Sequence, residues 1–184
     1  MPEGAEGLAS AATPAAGVDN ILSQWQLARP DLDPTPIALF GIIARVYLIS
    51  KPRISKTLGE FGLTREMFDV LATLRRSGPP YRLTPTQLSH SLVLTGPGMT
   101  NRLDRLEEAG LVLRTPDSRD RRSVHISLTS EGFKLIEEVT PQLADSERRL
   151  LASFDPDKTR QLIDLLEELA AHLRSRESSA SRIP

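Results

Sequence analysis

Residues 83 to 128 hold two short helical patterns and then a run that alternates apolar with polar side chains, and few folds accept that order. The first pattern, LTPTQL at 83–88, puts Thr84 at an N-cap and Pro85 at the first helical position. Gln87 completes a Thr-x-x-Gln capping box, and Leu83 and Leu88 are spaced as a hydrophobic staple. This helix runs to about Ser91. After Val93 and Leu94 a second helix begins near Thr95, with Pro97 tolerated in its first turn, and Gly110 ends it. Leu111 to Arg114 then reads as a strand, Pro116 to Arg121 as a loop, and Ser123 to Leu128 as a return strand with Val124, Ile126 and Leu128 on one face. Two helices joined by a few residues and followed directly by a β-hairpin form a winged helix-turn-helix.

The polar side chains of this segment carry the chemistry. Met99, Leu103 and Leu106 fall at i, i+4 and i+7 and face the core, which leaves Thr100, Asn101, Arg102 and Arg105 mostly on other faces. Short polar and arginine side chains at the N-terminal half of a helix suit base edges and phosphates. An ordinary amphipathic helix with a solvated face is the alternative. The hairpin tip, RTPDSRDRRS, carries Arg119, Asp120, Arg121 and Arg122. In a wing such arginines meet the negative potential of a minor groove, and a carboxylate can hold a neighbouring guanidinium in one pose. A solvated loop is the plainer reading, but the helix-turn-helix beside it favours the wing.

The flanks are helical. Residues 1–17 are Ala, Gly, Pro and Ser without an apolar period and are expected to be disordered. Residues 18–62 hold a short helix with Val18, Ile21, Leu22 and Trp25 at helical spacing, then a long one from about Pro36 to Glu60 with a kink or break expected at Pro52. Residues 63–128 form the winged helix-turn-helix, entered by a helix over 65–77 that Thr64 caps. Residues 129–174 hold two more helices, the first capped by Thr129 and bent at Pro141, the second with a broad leucine stripe. Residues 175–184 read as a loose tail. The fold class is mainly α with a small β-hairpin wing.

Composition excludes several functions. With 39% apolar and 26% charged residues a globular core is expected. No apolar run reaches the ~20 residues that span a membrane, and the N-terminus has no basic patch followed by an apolar stretch, so the cytoplasm is expected. The absence of cysteine removes disulfides and thiolate metal sites. A formal net charge of −1 requires any nucleic-acid surface to be local. His90, His125 and His172 lack metal-ligand spacing, and no phosphate loop or nucleophile motif is present, so no enzyme, metal or cofactor is expected. The acid pairs Glu107-Glu108, Glu137-Glu138 and Glu167-Glu168 read as solubilising. A winged-helix module that binds protein instead of DNA stays open, and steep salt dependence separates the two.

FGLTREMFDVLATLRRSG, LTPTQLSHSLVLTGPGMTNRLDRLEEAGLV and DSRDRRSVHISLTSEG, in that order, resemble the MarR family of bacterial transcriptional regulators over about residues 36–174. The resemblance implies a homodimer built from the N- and C-terminal helices that binds a pseudo-palindromic double-stranded operator. Each recognition helix, residues 95–109, would lie in a major groove and each wing in a flanking minor groove. DNA contacts then fall to Thr95, Gly96, Gly98, Thr100, Asn101, Arg102 and Arg105 on the helix. On the wing they fall to Arg119, Arg121 and above all Arg122, with Asp120 orienting it. The N-terminal extension with its tryptophan is similar to the urate-responsive branch of this family, the PecS and HucR type. That similarity assigns Trp25, Asp69 and Arg102 to a ligand pocket. Where that branch carries a histidine on the long helix this chain has Tyr47, so the implied effector is a small anionic or aromatic molecule, with urate one candidate. Repression relieved by ligand is the usual logic of the family.

Overall fold

The computed structural model describes residues 18–92, 98–116 and 124–180. Two compact units divide at Pro52 and Arg53. In the first, α1 covers Val18–Ala28, and α2, Thr35–Gly59, whose residues from Arg53 on belong to the second, begins where the Asp33 carboxylate accepts the Thr35 N–H at 3.0 Å. Arg29 and Asp31 pair at 2.7 Å in the link between them. Of the kink or break expected at Pro52, the break does not occur: α2 is one helix with the proline inside it. A proline removes one backbone donor, and a helix of 25 residues keeps enough bonds on either side to continue.

The second unit is organised around α3, Arg65–Arg76. Thr64 caps it, accepting the Met67 N–H, and its inner face is buried through Phe68, Val70, Leu71 and Leu74. α4 is Pro85–Ser91, and its capping box is complete: the Thr84 hydroxyl accepts the Gln87 N–H at 3.2 Å while the Gln87 side chain accepts the Thr84 N–H at 2.9 Å. α5, Met99–Glu108, buries Leu103 and Leu106, with Met99 partly covered. It starts after Pro97, later than the sequence suggests, with Gly98 as the N-cap at φ 98°.

Three antiparallel strands complete the unit. β2, Val112–Pro116, and β3, Val124–Leu128, form the hairpin with Val112 opposite Leu128 and Pro116 opposite Val124. The third strand, β1, is Arg82–Leu83, pairing with the other side of β3 so that Leu83 faces Ile126. Ile126 is fully buried, with Val124 and Leu128 packed against the same core, as the alternation requires. α6, Ser130–Leu150, returns over α3 and buries Ile136, Val139 and Leu143. α7, Pro156–Ala180, extends well past the expected end at Arg174 into the segment read as a loose tail. No helix among the described residues is long and apolar enough to cross a membrane.

Candidate nucleic-acid interface and ligand half-site

α5 is shaped at its start by Gly98. A left-handed residue suits glycine, and among the described residues no side chain caps the helix. Helix N-termini without a side-chain cap are where phosphate is commonly received. Asn101 and Arg105 are exposed, one turn apart, and Thr100 is exposed beside them. Asn101 and Arg105, with Gly98 and Arg102, border a cleft of about 230 Å³ against Thr64, Glu66 and Met67 at the start of α3. Four residues assigned to DNA from the sequence thus share one cleft: Gly98, Asn101, Arg102 and Arg105. Thr95 and Gly96, and the wing residues Arg119, Asp120, Arg121 and Arg122, lie outside the described residues.

Sequence reasoning missed one residue that organises this surface. Arg114 on β2 reaches back to α5. Its Nη2 donates to Asp104 Oδ1 at 2.6 Å and to the Thr100 carbonyl at 3.4 Å, and its Nη1 stands 3.4 Å from Glu107 Oε2. Its backbone N–H donates to Glu107 Oε1 at 3.3 Å. The wing strand and the recognition helix are thereby tied at three positions of the helix. Asp104 and Glu107 at i and i+3, ten and seven residues before a strand arginine, were the available signal. Glu107 is therefore a structural acid, as is Glu137, which accepts from Arg75 Nε at 2.6 Å.

Asp69 is 5% exposed on α3. Its Oδ1 accepts from Arg65 Nε at 3.1 Å, and Arg65 Nη1 reaches Glu147 Oε1 on α6 at 3.2 Å. Among the described residues Asp69 Oδ2 is buried without a hydrogen-bond partner, and so is Arg102 Nη1. Burial pushes the Asp69 carboxyl above its ordinary range, while Arg65 and more weakly Arg102 pull it down. Arg102 is thus close enough to act through its field, but the two side chains do not hydrogen-bond. Asp69 lines a separate cleft of about 440 Å³ between α3 and α6, with Phe68, Ala72 and Ile136 among its walls. In the first unit Trp25 is 39% exposed, and Tyr47 is 53% exposed with Lys51 Nζ 5.6 Å from its ring centre. Among the described residues no cluster of metal-ligating side chains occurs.

Comparison with known proteins agrees with this geometry. The MarR family model matches residues 61–123. The HTH-type transcriptional regulator PecS of Dickeya dadantii is 41% identical over 156 residues, covering 85% of this chain and 94% of its own length. The homoprotocatechuate degradative operon repressor of Escherichia coli is 38% identical over 90 residues, 49% of this chain and 61% of its own. A crystal structure of a MarR mutant from Escherichia coli complexed with operator DNA superimposes with a TM-score of 0.65 at 28% identity, over 76% of this chain and 98% of that one. The chain belongs to the MarR family of transcriptional regulators and carries its winged helix-turn-helix.

Proposed function

We propose that the protein binds a pseudo-palindromic operator as a homodimer, represses there, and is released by a small anionic or aromatic ligand. The observation that carries this reading is the coincidence of two features on Arg102. It shares the cleft at the start of α5 with Gly98, Asn101 and Arg105, the residues assigned to DNA from the sequence, and it feels the buried carboxylate of Asp69 while keeping a donor without a partner among the described residues. An anion that takes up that donor competes with Asp69 for the guanidinium and so acts on the DNA-reading helix itself. A ligand shifts an equilibrium only by such a difference in affinity between states. Trp25 and Tyr47 are assigned to the same ligand from the sequence. Thr95, Gly96, Thr100, Arg119, Asp120, Arg121 and Arg122 complete the DNA set, with Arg122 the wing arginine. The name of the 38% identical repressor supports repression.

Fluorescence anisotropy on a labelled duplex from the region upstream of its own gene tests both halves. Binding should fall log-linearly with salt, with a slope of roughly −0.9 per phosphate contacted. Arg122→Ala should weaken it without changing the oligomeric state. Urate, salicylate and related aromatic acids are then added; one of them should release the duplex, and Arg102→Ala or Asp69→Asn should blunt that release. Tight binding that no such compound releases removes the ligand. No binding at low salt removes the DNA reading.

A further inference from the structure

Arg53, Lys56, Thr57 and Glu60 fall at i, i+3, i+4 and i+7 of α2, and Gln142, Asp145, Ser146 and Arg149 repeat that spacing on α6. Each set is one stripe of its helix, and the two stripes border a groove of about 500 Å³ with no apolar side chain in its lining. At its floor the half-buried hydroxyls of Thr57 and Ser146 lie 3.1 Å apart. Leu58 and Leu143, each one residue along from the stripes, are buried in the core. The hydrophobic core therefore sets the spacing of the two helices, and the polar groove is what that spacing leaves between them.

The charges in the groove do not cancel. Asp145 is bound by Arg148, which does not line it. Among the described residues Arg53, Lys56 and Arg149 make no ion pair, so three cations face one unengaged carboxylate, Glu60. Like charges gathered on one site stabilise an opposite charge placed between them. Guanidinium groups present paired N–H donors that match phosphate oxygens, and an ammonium adds a point charge. The Ser, Thr and Gln side chains supply neutral donors of the kind that orient a small polar ligand. A partner helix is the wrong occupant, because stable protein interfaces have an apolar core, and the largest group of exposed apolar side chains in this unit, Leu162, Ile163, Leu165, Leu166 and Leu173, stands on α7 instead. We propose that this groove binds a small, multiply charged phosphate anion of the diphosphate type, at a site separate from the α5 cleft and from Asp69.

The test uses the full chain in buffer free of phosphate and sulfate, with sodium diphosphate as probe and sodium chloride holding ionic strength constant. Isothermal titration calorimetry should show saturable binding, and Tm should rise along the same isotherm. Arg53→Glu and Arg149→Glu should each weaken binding by at least about tenfold, as loss of a charge-assisted contact does. Arg160→Glu, an exposed change of equal charge on α7, should leave it intact. Arg53→Gln and Arg149→Gln, with a smaller loss in the same direction, keep the comparison valid if a reversal fails to fold. Heats that scale linearly with probe, or that all three reversals lower equally, mean general charge screening and overturn the proposal. It is equally overturned if diphosphate fails to bind and the groove variants alter only the sedimentation coefficient or the affinity for DNA, since the groove would then serve a second subunit or the duplex.

Discussion

A Cβ at Gly132 would lie 2.0 Å from the Leu111 carbonyl oxygen and 2.9 Å from its carbon. Both are backbone atoms held by the turn that closes α5: the Thr129 N–H donates to Leu111 O at 3.2 Å, the Thr129 hydroxyl to Gly110 O at 2.7 Å, and the Gly132 N–H to the Thr129 hydroxyl oxygen at 2.9 Å. The Leu-Thr-x-x-Gly stretch that follows the wing is thus a packing device: threonine caps α6 and staples it to the end of the recognition helix, and glycine lets the backbones touch. Gly132→Ala should cost about 3 kcal/mol, read as a lower midpoint in chemical denaturation, and an unchanged midpoint would show that α6 can shift freely. Asp69 makes the opposite case. Its folded carboxyl is raised by burial, so the stability tied to its protonation is fully present below the ordinary carboxylate pKa near ~4 and is lost as pH rises through the folded value. At pH 7 the ionised group destabilises the fold. Asp69→Asn, which can still accept from Arg65, should raise Tm at pH 7, with the gain shrinking as pH falls toward ~4. A lower Tm at pH 7 would mean that the ion pair with Arg65 outweighs the burial.

At the scale of elements, the tie between β2 and α5 is the arrangement most open to measurement. Arg114 is 29% exposed and its acidic partners more so, so solvent weakens each pair. Arg114→Ala should cost only about 1 kcal/mol of global stability. Its larger effect should be local: hydrogen exchange of the α5 amides speeds up while the β2–β3 ladder stays protected, and uniform loss of protection would deny Arg114 this role. Thr84→Ala, which removes half of the capping box of α4, should cost about 1 kcal/mol. These two residues also mark where the sequence was legible. The box at Thr84 and Gln87, the cap at Thr64 and the alternation of Val124, Ile126 and Leu128 are local patterns, and each element stands where they place it. That Asn101, Arg102 and Arg105 share one cleft was readable for the same reason: one helical period sorts them from Leu103 and Leu106. Arg114 was not, because its role depends on a contact across the helix–strand corner that no periodicity records. β1 was missed because two residues show no period, and only pairing with β3, more than 40 residues away, makes them a strand. Past Arg174 the polar composition suggested a loose end, yet α7 continues to Ala180.

For the whole molecule the decisive feature is what α7 leaves uncovered. Leu162, Leu165, Leu166 and Leu173 share a stripe, and with Ile163 all are between 40% and 56% exposed. Single exposed leucines need no explanation, but a contiguous apolar stripe marks an interaction surface. On the proposed reading the occupant is a second copy of the chain, since an isologous contact there would also set the spacing of two recognition helices on a two-fold operator. The dimer and the DNA reading can therefore be tested together. Leu162→Asp combined with Leu166→Asp places two charges on the stripe without touching the core around α3, so the winged unit should remain folded by circular dichroism. Sedimentation velocity should then report a monomer. On the operator duplex that monomer engages one half-site, so the slope of log affinity against log salt, which counts phosphates, should fall to about half that of the parent protein. A variant that stays dimeric would move the interface elsewhere. A monomer that keeps the full slope would mean that a single winged unit makes all the phosphate contacts, and the two-fold operator would no longer follow.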